Sequence, residues 1–284
     1  MSNPKLDLSN TTAAPIGTLV ALRPTGDLPP LCCVPPASGS AFAYASLAQL
    51  LPPERPVYAF EAPGFDDGQT PVESLGDLSA GYLTRVREIP WHGPHLLLGW
   101  SMGGTVAFDM ACRLRAQGET VAALILVDTM APDVTELPAG AQVVREFLLD
   151  CLGGEQLPAI DLDAMWAAAP QGDRARHLLT EMQFAGHFDA DLDMEILAGR
   201  FDVFRASIEV LRGNRQISRY EGKLTLIKAA DSPPELHKGW DGLASDIEAF
   251  TLPGDHHSIW QGGGLQELSR VIQECLGRVP GVAH

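Results

Sequence analysis

The chain predicts an α/β architecture, a mostly parallel sheet with helices covering both faces. Apolar runs at 31–34, 95–99 and 123–127 are near-continuously hydrophobic, as expected of strands buried on two sides. Helical patterns alternate with these runs, and helices are the usual connections between parallel strands. With 284 residues, 45% hydrophobic and 20% charged, the chain has material for one large domain with a substantial core.

Taken in order, strands are expected at 18–22, 31–34, 57–60, 95–99, 123–127, 224–228 and 247–252, with helices at 42–51, 75–88 and 102–117. The last of these helices carries Val106, Ala107, Met110 and Leu114 at helical spacing and stops at Gly118, a residue suited to ending a helix. Residues 1–16 are polar, lack an apolar signal core and read as a flexible tail ahead of a domain covering 17–284. Between about 133 and 219 the alternation stops, and only helices and loops are indicated. That interval reads as an inserted helical lid. Inside it Leu197, Phe201, Phe204, Ile208 and Leu211 step by four, three, four and three, which is one apolar helix face. A lid face of this kind packs on the body of the protein and also roofs a cleft.

The segment His95-Leu96-Leu97-Leu98-Gly99-Trp100-Ser101-Met102-Gly103-Gly104 runs an apolar strand through G-x-S-x-G into a helix. This context marks Ser101 as a candidate nucleophile. The turn has to lift the hydroxyl off the end of the sheet, and Gly99 and Gly103 flank it without a Cβ to clash.

A serine hydroxyl needs a base, and the base needs an acid to orient it. Among the eight histidines, His256 and His257 follow an expected strand and sit in the tight loop Pro253-Gly254-Asp255-His256-His257-Ser258. His256 is the candidate base. Two carboxylates end strands downstream of the serine, Asp128 and Asp231, and the pattern permits either as the acid. A tetrahedral intermediate also needs backbone N–H donors. Met102, at a helix N-terminus, is one. Pro35 and Pro36 have no N–H, so the loop after the second strand offers Ala37 or Ser38 as the other.

Together, Val34-Pro35-Pro36-Ala37-Ser38-Gly39, Gly99-Trp100-Ser101-Met102-Gly103-Gly104, Leu126-Val127-Asp128-Thr129 and Gly254-Asp255-His256 resemble the chain-terminating (type I) thioesterase domains of nonribosomal peptide and polyketide synthases. The resemblance runs from about Thr18 to Leu276. It implies an α/β-hydrolase fold with a helical lid. It also implies a serine hydrolase that accepts an acyl or peptidyl chain from the phosphopantetheine arm of a carrier protein or domain and releases it by hydrolysis or macrocyclisation. By the same resemblance the acid is Asp128, the base is His256 rather than His257, and the oxyanion donors are Ala37 and Met102. Editing (type II) members carry the acid one strand later, where Asp231 stands. No metal and no cofactor of the domain's own is implied. No Gly-Gly-x-Ser carrier motif precedes the domain, so the carrier is expected on another chain or on a segment cut away. Trp100, Trp166, Phe184, Phe188 and Trp260 are read two ways, as an apolar lining of the cleft or as plain core packing. Other readings are an editing thioesterase, a general carboxylesterase, and a binding protein on an inactive hydrolase scaffold.

A formal charge of −16 argues against nucleic acid and anionic membrane surfaces as partners, since both reward basic patches. Cys32, Cys33, Cys112, Cys151 and Cys275 include no C-x-x-C pair and suit a reducing compartment. With no apolar run of about 18 residues, a cytoplasmic, unsecreted protein is expected.

Overall fold

The computed structural model describes residues 16–66, 68–131, 137–151, 157, 160–188, 191–212 and 218–279. Strands β1 (Thr18–Arg23) and β2 (Leu31–Val34) lead into a 3-10 turn at Ala41–Tyr44 and helix α1 (Ala45–Leu50). The alternation continues through β3 (Val57–Glu61), α2 (Leu75–Val86), β4 (His95–Trp100), α3 (Met102–Ala116) and β5 (Val121–Val127). Helices α4 (Ala141–Cys151), α5 (Leu162–Ala168), α6 (Arg174–Phe184) and α7 (Met194–Arg212) then follow with no strand between them among the described residues. The chain closes with β6 (Tyr220–Ala229), β7 (Ala244–Leu252) and α8 (Gly262–Gly277).

The strands form one sheet in the order β1-β3-β2-β4-β5-β6-β7. At one edge β1 pairs antiparallel with β3, and the remaining pairings are parallel. Successive side chains on a strand point to opposite faces. Leu31 and Cys33 of β2 therefore join a core completed by α1 and α8, while Cys32 and Val34 join the one filled by α2, α3 and the lid. Because both faces are covered, all four residues of β2 are apolar and buried. The expected 1–16 tail lies outside the described residues except for Ile16, which packs so close to α2 that a Cβ at Gly81 would sit 2.5 Å from it. The expected start of the lid near 133 also lies outside them.

Helix α7 packs against α3 and α4. Its contact with α4 is aromatic, the Phe147 ring meeting Phe201 and Phe204 edge-on at 5.4 and 5.6 Å. Arginines of α7 tie the lid to the body. Arg200 donates to the Phe65 carbonyl at 2.6 Å and to Asp66 at 2.8 Å, its guanidinium 3.2 Å from the Phe65 ring centroid. Arg205 donates to Glu73 at 2.8 Å. No helix among the described residues is long and apolar enough to cross a membrane.

Candidate active site

Strand β4 ends at Trp100 and helix α3 begins at Met102, so Ser101 alone makes the turn, at φ 57° and ψ −131°. A non-glycine residue at positive φ costs on the order of 1–3 kcal/mol and persists only where its surroundings hold it. Three glycines let those surroundings close in. A Cβ on Gly99 would meet the Gly103 carbonyl oxygen at 2.3 Å, and one on Gly103 would meet the Val34 and Pro35 carbonyl oxygens at 2.3 Å. One on Gly104 would fall 2.0 Å from Thr129 Oγ1. The start of α3 is thus wedged between the loops that follow β2 and β5. The Ser101 N–H donates to the Val127 carbonyl at 3.0 Å, pinning the turn to the end of β5.

Asp128 lies one step past β5, fully buried and at φ 45°. Its carboxylate is filled from three directions. Oδ1 accepts from the Ala229 N–H at 2.9 Å, and Oδ2 accepts from the Ser232 hydroxyl at 2.6 Å and pairs with His256 Nδ1 at 2.7 Å. Ser232 is a participant that sequence reasoning missed; it follows Asp231 in the turn after β6, with no motif to mark it. The alternative acid Asp231 is exposed, and its N–H donates to the Gly254 carbonyl at 2.9 Å. Its backbone therefore braces the histidine loop, while the carboxylate bonded to His256 is that of Asp128.

The histidine loop is shaped by Asp255, which accepts from the backbone N–H groups of His257 at 3.0 Å and Ser258 at 2.8 Å. Those bonds, led by the one from Ser258, hold the Asp255 carboxyl below the usual carboxylate range. Trp100 backs the His256 ring at 5.4 Å, and Trp260 lies 5.0 Å from Trp100. Burial and the neighbouring His256 push the His257 imidazole down, which favours its neutral form.

Ser101, His256, Ala37 and Met102 share one cavity of about 590 Å³ at the carboxyl edge of the sheet, roofed by the lid. Cavities of this size take drug-sized ligands, and sites at the carboxyl ends of strands are usual for open parallel sheets. Phe204, Ile208 and Leu211 from the predicted apolar stripe form a wall, but the five aromatics open to either reading do not. Trp100 lies behind His256 and Trp260 behind Trp100, Trp166 lines a separate lid cavity of about 520 Å³, Phe188 is partly buried against the core, and Phe184 is 82% exposed. The reason is placement: helix α7 turns three of its apolar side chains toward the cavity, whereas those aromatics stand on other elements that do not face it. The lid also brings a carboxyl group into the cavity. Burial pushes Asp150 of α4 up to about 6, opposed by the charge of His256 and a hydrogen bond with Ser38. Among the described residues no group of His, Cys, Asp and Glu could hold a metal ion.

A seven-stranded, mostly parallel sheet with a serine turn after β4 and a helical insertion after β5 defines an α/β-hydrolase fold. The chain belongs to the thioesterase domain family, whose sequence model matches residues 29–275. It is 37% identical over 278 residues to a dimodular nonribosomal peptide synthase of Bacillus subtilis (strain 168), covering 94% of this chain and 11% of that protein. A 27% match over 260 residues to a non-reducing polyketide synthase of a Nectria species covers 88% of this chain and 12% of that one. Among solved structures, a four-domain nonribosomal peptide synthetase superposes with a TM-score of 0.78 at 26% identity, over 90% of this chain and 20% of its own. The chain thus spans a small part of these relatives' length.

Proposed function

We propose that the protein is a chain-releasing thioesterase that takes an acyl or peptidyl group from the phosphopantetheine thiol of a carrier protein or domain. The observation that carries this reading is the convergence on one lidded cavity of Ser101, a His256 bonded to buried Asp128, and the two backbone donors Ala37 and Met102. Kinship with peptide and polyketide synthases supports the carrier-bound substrate. The phosphopantetheine arm belongs to the carrier, so the protein needs no cofactor of its own. The same reading sets it in the cytoplasm beside that carrier.

Ser101 Oγ attacks the thioester carbonyl while His256 Nε2 takes its proton. The Ala37 and Met102 N–H groups hold the oxyanion of the tetrahedral intermediate, with the N-terminus of α3 adding to the favourable field. As the intermediate collapses, the C–S bond breaks and His256 protonates the departing thiol, leaving the chain as an ester on Ser101. His256 next deprotonates water, or an amine or hydroxyl of the chain itself, that nucleophile attacks the ester, and His256 returns the proton to Ser101 Oγ as the ester C–O bond breaks to give an acid or a ring. Asp128 keeps the Nδ1–H tautomer facing it and stabilises the imidazolium formed in each half-reaction.

The test mixes wild-type and Ser101→Ala protein with acyl and peptidyl N-acetylcysteamine thioesters, followed by intact-protein and product mass spectrometry. We expect an acyl adduct at Ser101 and a fall in turnover of about 10⁴- to 10⁶-fold in the variant, in line with the loss of a serine-hydrolase nucleophile. A Ser101→Ala enzyme that turns over at the wild-type rate would end this reading.

A further inference from the structure

Tyr44 closes the 3-10 turn after β2, and its side chain is fully buried. Its hydroxyl makes two backbone contacts at once. It donates to the Val34 carbonyl, at the end of β2, and accepts from the Trp100 N–H, at the end of β4, at 3.0 Å. Val34 and Gly99 are the last paired residues of the β2–β4 ladder. The hydroxyl is therefore an inserted rung at the point where the strands separate. Beyond that rung the β2 segment continues to Ala37, and the β4 segment continues through Ser101 to Met102.

The ring makes a third connection. It meets Trp260, in the segment that follows the histidine loop, edge-on at 5.4 Å. Trp260 in turn packs on Trp100, which backs His256. One side chain outside the cavity thereby touches the strand ends that lead into the nucleophile turn and the oxyanion loop, and the segment after the base.

We infer that Tyr44 is a positioning residue: its hydroxyl sets the separation between the two segments that carry the Ala37 and Met102 donors, and its ring seats the histidine loop. The inference rests on the proposed chemistry at Ser101. Both hydroxyl partners are buried backbone groups, and a buried N–H or carbonyl left unpaired is costly, so they move to find other partners if the hydroxyl is lost. Burial holds the Tyr44 phenol well above its usual range, which keeps it protonated as the donor to Val34. Oxyanion donors act only within a narrow distance of the developing charge, and a displacement of about 1 Å can cost on the order of 10²-fold in rate.

The experiment compares wild type, Tyr44→Phe and Tyr82→Phe, a control altering an equally buried tyrosine that stacks on Phe60 and does not line the cavity. Each is titrated with a fluorophosphonate, which counts folded, reactive Ser101, and kcat and KM are measured per titrated site with one N-acetylcysteamine thioester. We expect Tyr44→Phe to lose about 10- to 100-fold in kcat per site with KM changed by less than about twofold, and Tyr82→Phe to retain wild-type kcat per site. Merely structural damage would reduce the number of titrated sites and the melting temperature but leave kcat per site intact, and that result overturns the inference. If Tyr44→Phe does not fold, 3-fluorotyrosine encoded at position 44 keeps the ring and both contacts while weakening the oxygen as an acceptor. A drop in kcat per site at an unchanged melting temperature then supports the inference, and wild-type kcat overturns it. A wild-type protein inert to fluorophosphonate and thioester alike removes the chemistry at Ser101, and this inference with it.

Discussion

At the carboxyl edge of the sheet, Ser101 and Asp128 are each held by a backbone hydrogen bond to the next strand end, at 3.0 and 2.7 Å. In the lid, α4 and α7 meet instead through the edges of Phe147, Phe201 and Phe204, and arginine side chains reach from α7 to the body. Directional bonds fix atoms to within tenths of an ångström, whereas apolar contacts fix a volume and tolerate rearrangement. The first region suits chemistry, in which position enters the rate exponentially. The second suits selection among chains of different length and shape.

The sharpest way to break this contrast is at Asp128, the proposed acid. Asp128→Asn should reduce kcat by about 10⁴-fold, because an amide facing Nδ1 favours the wrong imidazole tautomer. Asp231→Asn should stay near wild type, since the structure uses that residue's backbone rather than its carboxylate. Steady-state kinetics on one thioester checks both, and the opposite ranking would favour the editing type.

A smaller effect is expected from the lid wall. Phe204→Ala should raise KM for long acyl thioesters about tenfold or more while leaving short ones nearly unchanged, because apolar pockets discriminate by roughly 1–3 kcal/mol per removed contact. An equal loss for all chain lengths would mean that the wall supports the carboxyl edge of the sheet as well.

The smallest effect is a pH-dependent one. Asp150 holds its proton to about 6 in the fold against 3.8 unexposed to such burial, so the stability gained from the neutral form is present below that lower value and lost as pH rises through the higher one. Asp150→Asn cannot ionise. It should match wild type near about pH 4 and exceed it by about 1–2 kcal/mol near pH 8 in denaturant unfolding. Equal stability at both would show that the carboxylate is solvated where it stands.

Much of the candidate site's backbone was legible in the sequence because geometry there restricts residue type. A turn whose neighbours approach to 2.0–2.3 Å of a missing Cβ demands glycine, and Gly99, Gly103 and Gly104 announce it. The choice between Asp128 and Asp231 was not legible from pattern, because each ends a strand and only the packing of β5, β6 and the histidine loop tells which carboxylate reaches His256. Ser232 had no signal at all, since a serine after an aspartate in a turn is ordinary. Of the two readings open for the five aromatics, the structure favours packing away from the cleft, because aromatic size alone does not say which side of an element meets the cavity. Helix α8 went unpredicted for a related reason. Gly262, Gly263 and Gly264 resemble a loop, although Leu265, Leu268, Val271, Ile272 and Leu276 behind them keep helical spacing.

The lid occupies the whole stretch between β5 and β6, which lie side by side and run parallel. Parallel neighbours cannot be joined by a tight turn and need a crossover of about a dozen residues or more. The lid is therefore also the strap that returns the chain to the opposite end of the sheet, with α7 packed against α3. Trimming it away to open the cleft would unthread β6, and with it Ala229 and Ser232, whose bonds orient Asp128. For protein engineering, that makes the lid a part to be exchanged whole between family members, each replacement bringing its own crossover.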